Sequence, residues 1–163
     1  MMSILEICHY LQNTEWATAI RQADFAFPLI EGTHIIALSL SVGLILMLDL
    51  RLLRLAFQSE PVSRVMHQVM PWALPGFGIM FLTGLLLFFA QAESVYNNSY
   101  FRIKLLMLLL LGINAAVYQY KFYPHMAEWD TTTVPTGPRI VAVVSLVLWM
   151  AVIVAGRLTA YEL

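Results

Sequence analysis

Three ionisable side chains, Glu31, His34 and Asp49, lie within one long apolar run, FAFPLIEGTHIIALSLSVGLILMLDLRLL at residues 25–53. Ionisable groups are costly in hydrocarbon, so each one found inside an apolar span is a functional candidate by default. At about 100° per residue on a helix, Glu31 and Asp49 fall about 60° from His34, and Ser41 falls about 20° from it. These four polar groups therefore share one stripe on a helix that is otherwise mostly Leu, Ile, Val and Ala. A stripe of that kind faces other helices rather than lipid.

Depth narrows the chemistry. His34 is nine residues in from Phe25, roughly 13 Å below the boundary on that side. Lys104 sits a few residues into a later apolar run entered from the same side, and Arg157 a similar distance from the far end of the last one. His34, Glu31, Lys104 and Arg157 are thus expected to meet in the outer half of a bundle. An imidazole below two cations suits a b-type haem, with His34 on the iron and Lys104 and Arg157 on the propionates. Glu31 is expected either to accept from the other ring nitrogen or to pair with Lys104. No second histidine lies at this depth, so a bis-histidine site is not expected. Met107, about 60° around the helix from Lys104, is either a sixth ligand or core packing, and a five-coordinate iron is equally open. The plainer readings are a hydrogen-bonded structural histidine, cations that snorkel to the interface, and an Asp49 that pairs with Arg51 and Arg54. No catalytic residue is assigned.

A second group, Met66, His67 and Met70 with His125 and Met126, belongs to the inner side. Thioether and imidazole are soft ligands suited to Cu(I); a second haem between His67 and His125 and a quinone site near Trp72 and His67 are further possibilities. The one cysteine, Cys8, rules out an intrachain disulfide and an iron–sulfur cluster. There is no phosphate-binding glycine loop, nucleophile elbow or HExxH motif.

The elements that position these residues follow from the composition. Of 163 residues 60% are hydrophobic and 12% charged, against about 45–50% and about 25% in soluble domains. A net charge of −1 gives no reason to expect nucleic acid. Spanning hydrocarbon takes about 20 apolar residues, and backbone pairing in lipid makes the spans helices. Residues 25–53, 70–90, 101–123 and 139–161 qualify. Pro71 and Pro75 then sit in the first turns of the second span, where a missing N–H matters least. Ahead of them, Ile4, Ile7, Cys8 and Leu11 follow helical spacing from Ser3 to about Ile20, with Trp16 as an anchor. The expectation is an all-α protein: an amphipathic interfacial helix over residues 1–22 and a four-helix transmembrane bundle over residues 23–163. Arg51, Arg54, Arg64, Lys121 and Arg139 on one side face Arg21 and Arg102 on the other, with Lys104 and Arg157 close to helix ends there. Five against four, or five against two if that last pair is buried, places both termini outside, periplasmic in a bacterial inner membrane.

The runs FPLIEGTHIIALSLSVGLILMLDLRLLRLAF, GFGIMFLTGLLLF and FRIKLLMLLLLGINA resemble a family of small uncharacterised bacterial four-helix membrane proteins. More distantly the chain is similar to the HemJ-type protoporphyrinogen oxidases and the CopD-type copper-resistance proteins. Those families have a histidine in the first span, matched by His34, and the HemJ type a lysine opening a later span, matched by Lys104. The resemblance implies haem b and membrane redox chemistry. DLRLLRLAF and INAAVYQY lack the further histidines of the HemJ type, so only His34 and Lys104 carry over. The expected function is a haem b protein that relays electrons or serves as the membrane subunit of a redox complex. Its partners would be other membrane subunits or its own copies, together with lipid. The alternatives are a copper or small-molecule permease and a structural accessory subunit.

Overall fold

The computed structural model describes residues 4–130 and 133–162, and every regular element in them is helical. Two short helices, α1 (Ile4–Gln12) and α2 (Glu15–Gln22), precede α3 (Ala26–Leu52) and α4 (Val62–Ala90). A short α5 (Ala92–Asn97) leads into α6 (Ser99–Val117), which continues through a π-helical turn (Tyr118–Phe122), a 3-10 turn (Tyr123–His125) and α7 (Met126–Trp129). The chain ends in α8 (Thr136–Glu162). Four stretches are long and apolar enough to cross a membrane: Ala26–Leu52, Val62–Ala90, Ser99–Trp129 and Thr136–Thr159.

The N-terminal segment is two helices rather than the single interfacial one expected; Ser3, its expected start, lies outside the described residues. Asn13 and Thr14 cause the break. Asn13 Nδ2 donates to the His9 carbonyl at 2.9 Å and Thr14 Oγ1 to that of Leu11 at 2.8 Å, local bonds that compete with the helical ladder. Both helices then pack against the bundle. Cys8 and Ala17 are buried, Trp16 meets Phe89 edge-on at 5.0 Å, and Gln12 Oε1 accepts from the Glu93 amide at 2.9 Å. Arg21 Nη1 donates to the Ala90 carbonyl at 3.2 Å.

The second span begins at Val62, not near Met70, so Pro71 and Pro75 lie inside α4 rather than in its first turns. The early start has a cause that the apolar run does not reveal. Asp130, after α7, accepts from the Ser63 amide at 2.8 Å and from its hydroxyl. A side chain distant in sequence thereby supplies the α4 N-terminus with an acceptor. The third span departs from α-helical geometry at Tyr118. Pro124 has no N–H to give to the Tyr120 carbonyl, and Phe122 swings against Gly137 at the start of α8, where a Cβ would overlap its ring.

The spans form two pairs, α3 along α4 and α6 along α8, which meet chiefly where α3 touches α8. Small residues permit the first pairing. Ser41 Oγ points at Gly76, which has no room for a Cβ, and Ala37 and Ala73 are buried. One apolar cluster, built around Leu48, Leu52, Val65, Tyr118, Met126 and Trp129, fills the half of the bundle near the α3–α4 and α6–α8 links. A second, of Val42, Leu111, Trp149 and Val152, lies further along the spans toward the end that holds the chain termini. Asn98 closes that terminal end. It caps α6 by accepting from the Phe101 amide at 3.1 Å and donates to the Thr159 carbonyl of α8 at 3.4 Å.

Candidate functional site

Beyond the second cluster, toward the terminal end, the apolar packing gives way to polar groups from α3, α4 and α6. His34 of α3 is half-buried, and its Nδ1 lies 3.0 Å from Thr83 Oγ1 on α4. Thr83 is itself buried, with its Oγ1 2.7 Å from the Ile79 carbonyl and 3.1 Å from that of Met80. The next residue, Gly84, lies beside the imidazole. A Cβ there would stand 3.1 Å from His34 Cε1, a tight contact that would push the ring by a few tenths of an ångström.

Lys104 enters from α6 and is half-buried. Its stem runs past Gly156 of α8, where a Cβ would lie 3.7 Å from Nζ. The Lys104 ammonium and the Glu31 carboxylate both exert a field on the His34 ring. Among the described residues the salt bridges are Arg64–Glu60 and His125–Glu128, and Lys104 takes part in neither. Lys104 and Glu31 thus lie within electrostatic range of the imidazole, with Glu31 exposed.

The other expected members lie elsewhere. Arg157 is exposed, and its guanidinium carbon stands 5.1 Å over the Tyr161 ring. Met107 packs against the apolar cluster of Val42, Leu111, Trp149 and Val152. Asp49 forms no ion pair with Arg51 or Arg54. It is 5% exposed, lies beside Ser145 of α8, and its Oδ2 has no hydrogen-bond partner. Arg51 turns instead to the Glu60 carbonyl, at 2.6 Å from its Nε. Phe57 and Arg54, both with positive φ (53° and 60°), bend the linker back to allow this bond.

The soft-ligand group at the linker end is also divided. Met66, His67 and Met70 line a groove with Pro71, Leu74 and Tyr123. His125 faces Glu128 at 3.1 Å, and Met126 is buried, with Sδ accepting from the Tyr118 hydroxyl at 3.9 Å. Among the described residues no three His, Cys, Asp or Glu side chains are grouped to hold a metal ion. His34 and Lys104 are the imidazole and the cation that this end of the bundle offers to a ligand.

Three residues of this site were not singled out from the sequence: Thr83, Gly84 and Gly156. The first had a signal. Thr83 is the only hydroxyl, amide or charged side chain between Trp72 and Gln91, and a lone hydroxyl in an apolar span is expected to bond across to another helix. The two glycines carried no separable signal among the others of the spans.

Residues 24–162 match DUF6644, a family of unknown function, and the chain belongs to that family. No curated protein and no solved structure matches it.

Proposed function

We propose that this member of the family holds a b-type haem in the terminal half of its bundle and passes electrons within the membrane, alone or as the membrane subunit of a redox complex. The supporting observation is the pairing of a half-buried imidazole with a lysine that has no counter-ion among the described residues. A lysine inside a spanning helix raises its insertion free energy, by less near the end than the about 2.5–3.5 kcal/mol of the centre, and an acidic group held in the site would offset part of that. Haem supplies both missing partners, an iron for the imidazole and propionates for the ammonium. When bound it would contribute reversible one-electron chemistry. His34 would be the axial ligand and Lys104 the propionate partner. Arg157, turned onto Tyr161, leaves that second role to Lys104, and Met107 stays in the apolar packing.

The excess of Arg and Lys at the linker end supports a multi-pass inner-membrane protein with both termini periplasmic. With little mass outside the spans, this chain would pass its electrons to other membrane subunits or to its own copies.

The visible spectrum of the purified protein tests the proposal. A Soret band with a reduced α band of b type is expected. His34→Ala should lose the pigment while remaining a folded, inserted protein, because the spans are apolar enough to insert without it. Lys104→Ala should weaken retention or shift the reduction potential. A colourless wild-type preparation that takes up no added haem would end the proposal.

A further inference from the structure

We infer that Thr83 is a positioning residue that fixes the His34 imidazole as its Nδ1–H tautomer and so leaves Nε2 free to bind; the inference deepens the haem reading and rests on it for the identity of the ligand. The argument is a count of hydrogens. A threonine hydroxyl has one hydrogen to donate, and a carbonyl oxygen can only accept. Thr83 Oγ1 is 2.7 Å from the Ile79 carbonyl, with that of Met80 at 3.1 Å, so its hydrogen is committed to its own helix. Toward His34 Nδ1, 3.0 Å away, the oxygen has only lone pairs to offer. The hydrogen in that bond therefore belongs to the imidazole.

A neutral imidazole carries one N–H, and with it on Nδ1 the lone pair is left on Nε2. An iron ligand needs that lone pair, and a hydrogen-bond acceptor on the opposite nitrogen holds the tautomer and makes the ligating nitrogen more basic. Thr83 is 8% exposed, so bulk water has little access to compete for Nδ1. Gly84 makes a separate contribution. The 3.1 Å between a Cβ at that position and His34 Cε1 means that alanine would displace the ring without altering which nitrogen is protonated. In the dipeptide Thr83-Gly84 the first residue sets the protonation pattern and the second sets the place of the ring.

The test uses the full-length chain, free of haem, in lipid nanodiscs with its histidines labelled with nitrogen-15. The signals of His34 are identified by their loss in His34→Gln. The expected wild-type shifts are those of a neutral ring protonated at Nδ1. Thr83→Ser should keep that pattern and Thr83→Val should abolish or mix it. An Nε2–H ring in the wild type, or a Thr83→Val protein with unchanged shifts, would overturn the inference. Hemin is then titrated into the same samples. Thr83→Val should bind about 10- to 100-fold more weakly and Thr83→Ser close to wild type, while Gly84→Ala weakens binding with the tautomer intact. Wild-type protein that takes up no hemin while its tautomer follows Thr83 refutes the haem reading and leaves Thr83 in its role. Hemin uptake with a tautomer indifferent to Thr83 does the reverse.

Discussion

Asp49 shows how far a side chain's chemistry depends on neighbours that its own sequence context does not name. Flanked by Arg51 and Arg54, it reads as half of an interfacial ion pair, yet its carboxyl is buried beside Ser145 with Oδ2 unpartnered. The arginines are engaged otherwise, Arg51 with the Glu60 carbonyl through a linker that bends back on itself. A buried polar atom without a partner costs about 1–3 kcal/mol, so Asp49 is retained against stability. Asp49→Asn keeps the side-chain volume and a group for Ser145 while removing the ionisable oxygen. It should unfold within about 1 kcal/mol of wild type in a thermal or denaturant melt, because an amide nitrogen replaces an oxygen that is itself unpartnered. A clear loss of stability would mean that the carboxylate itself is bonded in the folded protein. At this scale sequence reading reached His34, Glu31 and Lys104, because charge inside an apolar run stands out against its background. It missed Thr83, Gly84 and Gly156, and misdirected Arg157. Which neighbour a side chain turns to is decided by rotamer and by the facing helix, and neither is written in the residue's own segment.

The helices themselves were more legible than their ends. Hydrophobic length fixed the four spans because lipid leaves a 20-residue apolar segment no other paired conformation. Their boundaries moved where a distant group intervened, Asp130 at the start of α4 and Gly137 against Phe122 at the exit of the third span, while local bonds of Asn13 and Thr14 divide α1 from α2. Pairing of α3 with α4 depends on a close approach that hydropathy cannot report. Ser41 is sealed from solvent with its Oγ unpartnered, and it faces a glycine. Gly76→Ala should therefore destabilise the pair by about 1–3 kcal/mol, the usual range for overpacking. Ser41→Ala should be nearly neutral, since it removes a hydroxyl that bonds to nothing. Adding Ser41→Ala to Gly76→Ala should recover most of the loss, because the next atoms to meet a Cβ at position 76 are Ser41 Cβ at 3.5 Å and the Ala37 carbonyl at 3.8 Å. A double-mutant cycle on thermal unfolding reads this directly. Strict additivity would show that Ser41 Oγ is not the atom that keeps Gly76 small.

For the molecule as a whole, an even number of spans puts its two ends together, and the contacts agree with that count. Arg21 of α2 reaches the end of α4, and Asn98 at the start of α6 reaches the end of α8. The His34 site thus lies toward the end that carries α1, α2, α5 and the C-terminus, while the basic linkers occupy the other. Which face each end takes is governed by lysines and arginines within about 15–20 residues of the spans. The linker end has Arg51, Arg54, Arg64, Lys121 and Arg139, and the terminal end has Arg21 and Arg102 near its boundary. Lys104, drawn inward beside Gly156, and Arg157, folded over Tyr161, lie deeper in α6 and α8, and with both counted the linker end still leads by five to four. The expected outcome is that a fusion at Gln58 reports the cytoplasm and one after Tyr161 the periplasm. Paired activity reporters, one active only inside and the other only outside, should switch between the two positions. Both fusions on one side would refute the four-span arrangement. Opposite sides in the reverse sense would keep the bundle but put the His34 site near the cytoplasmic face, where its electron donor would have to be sought.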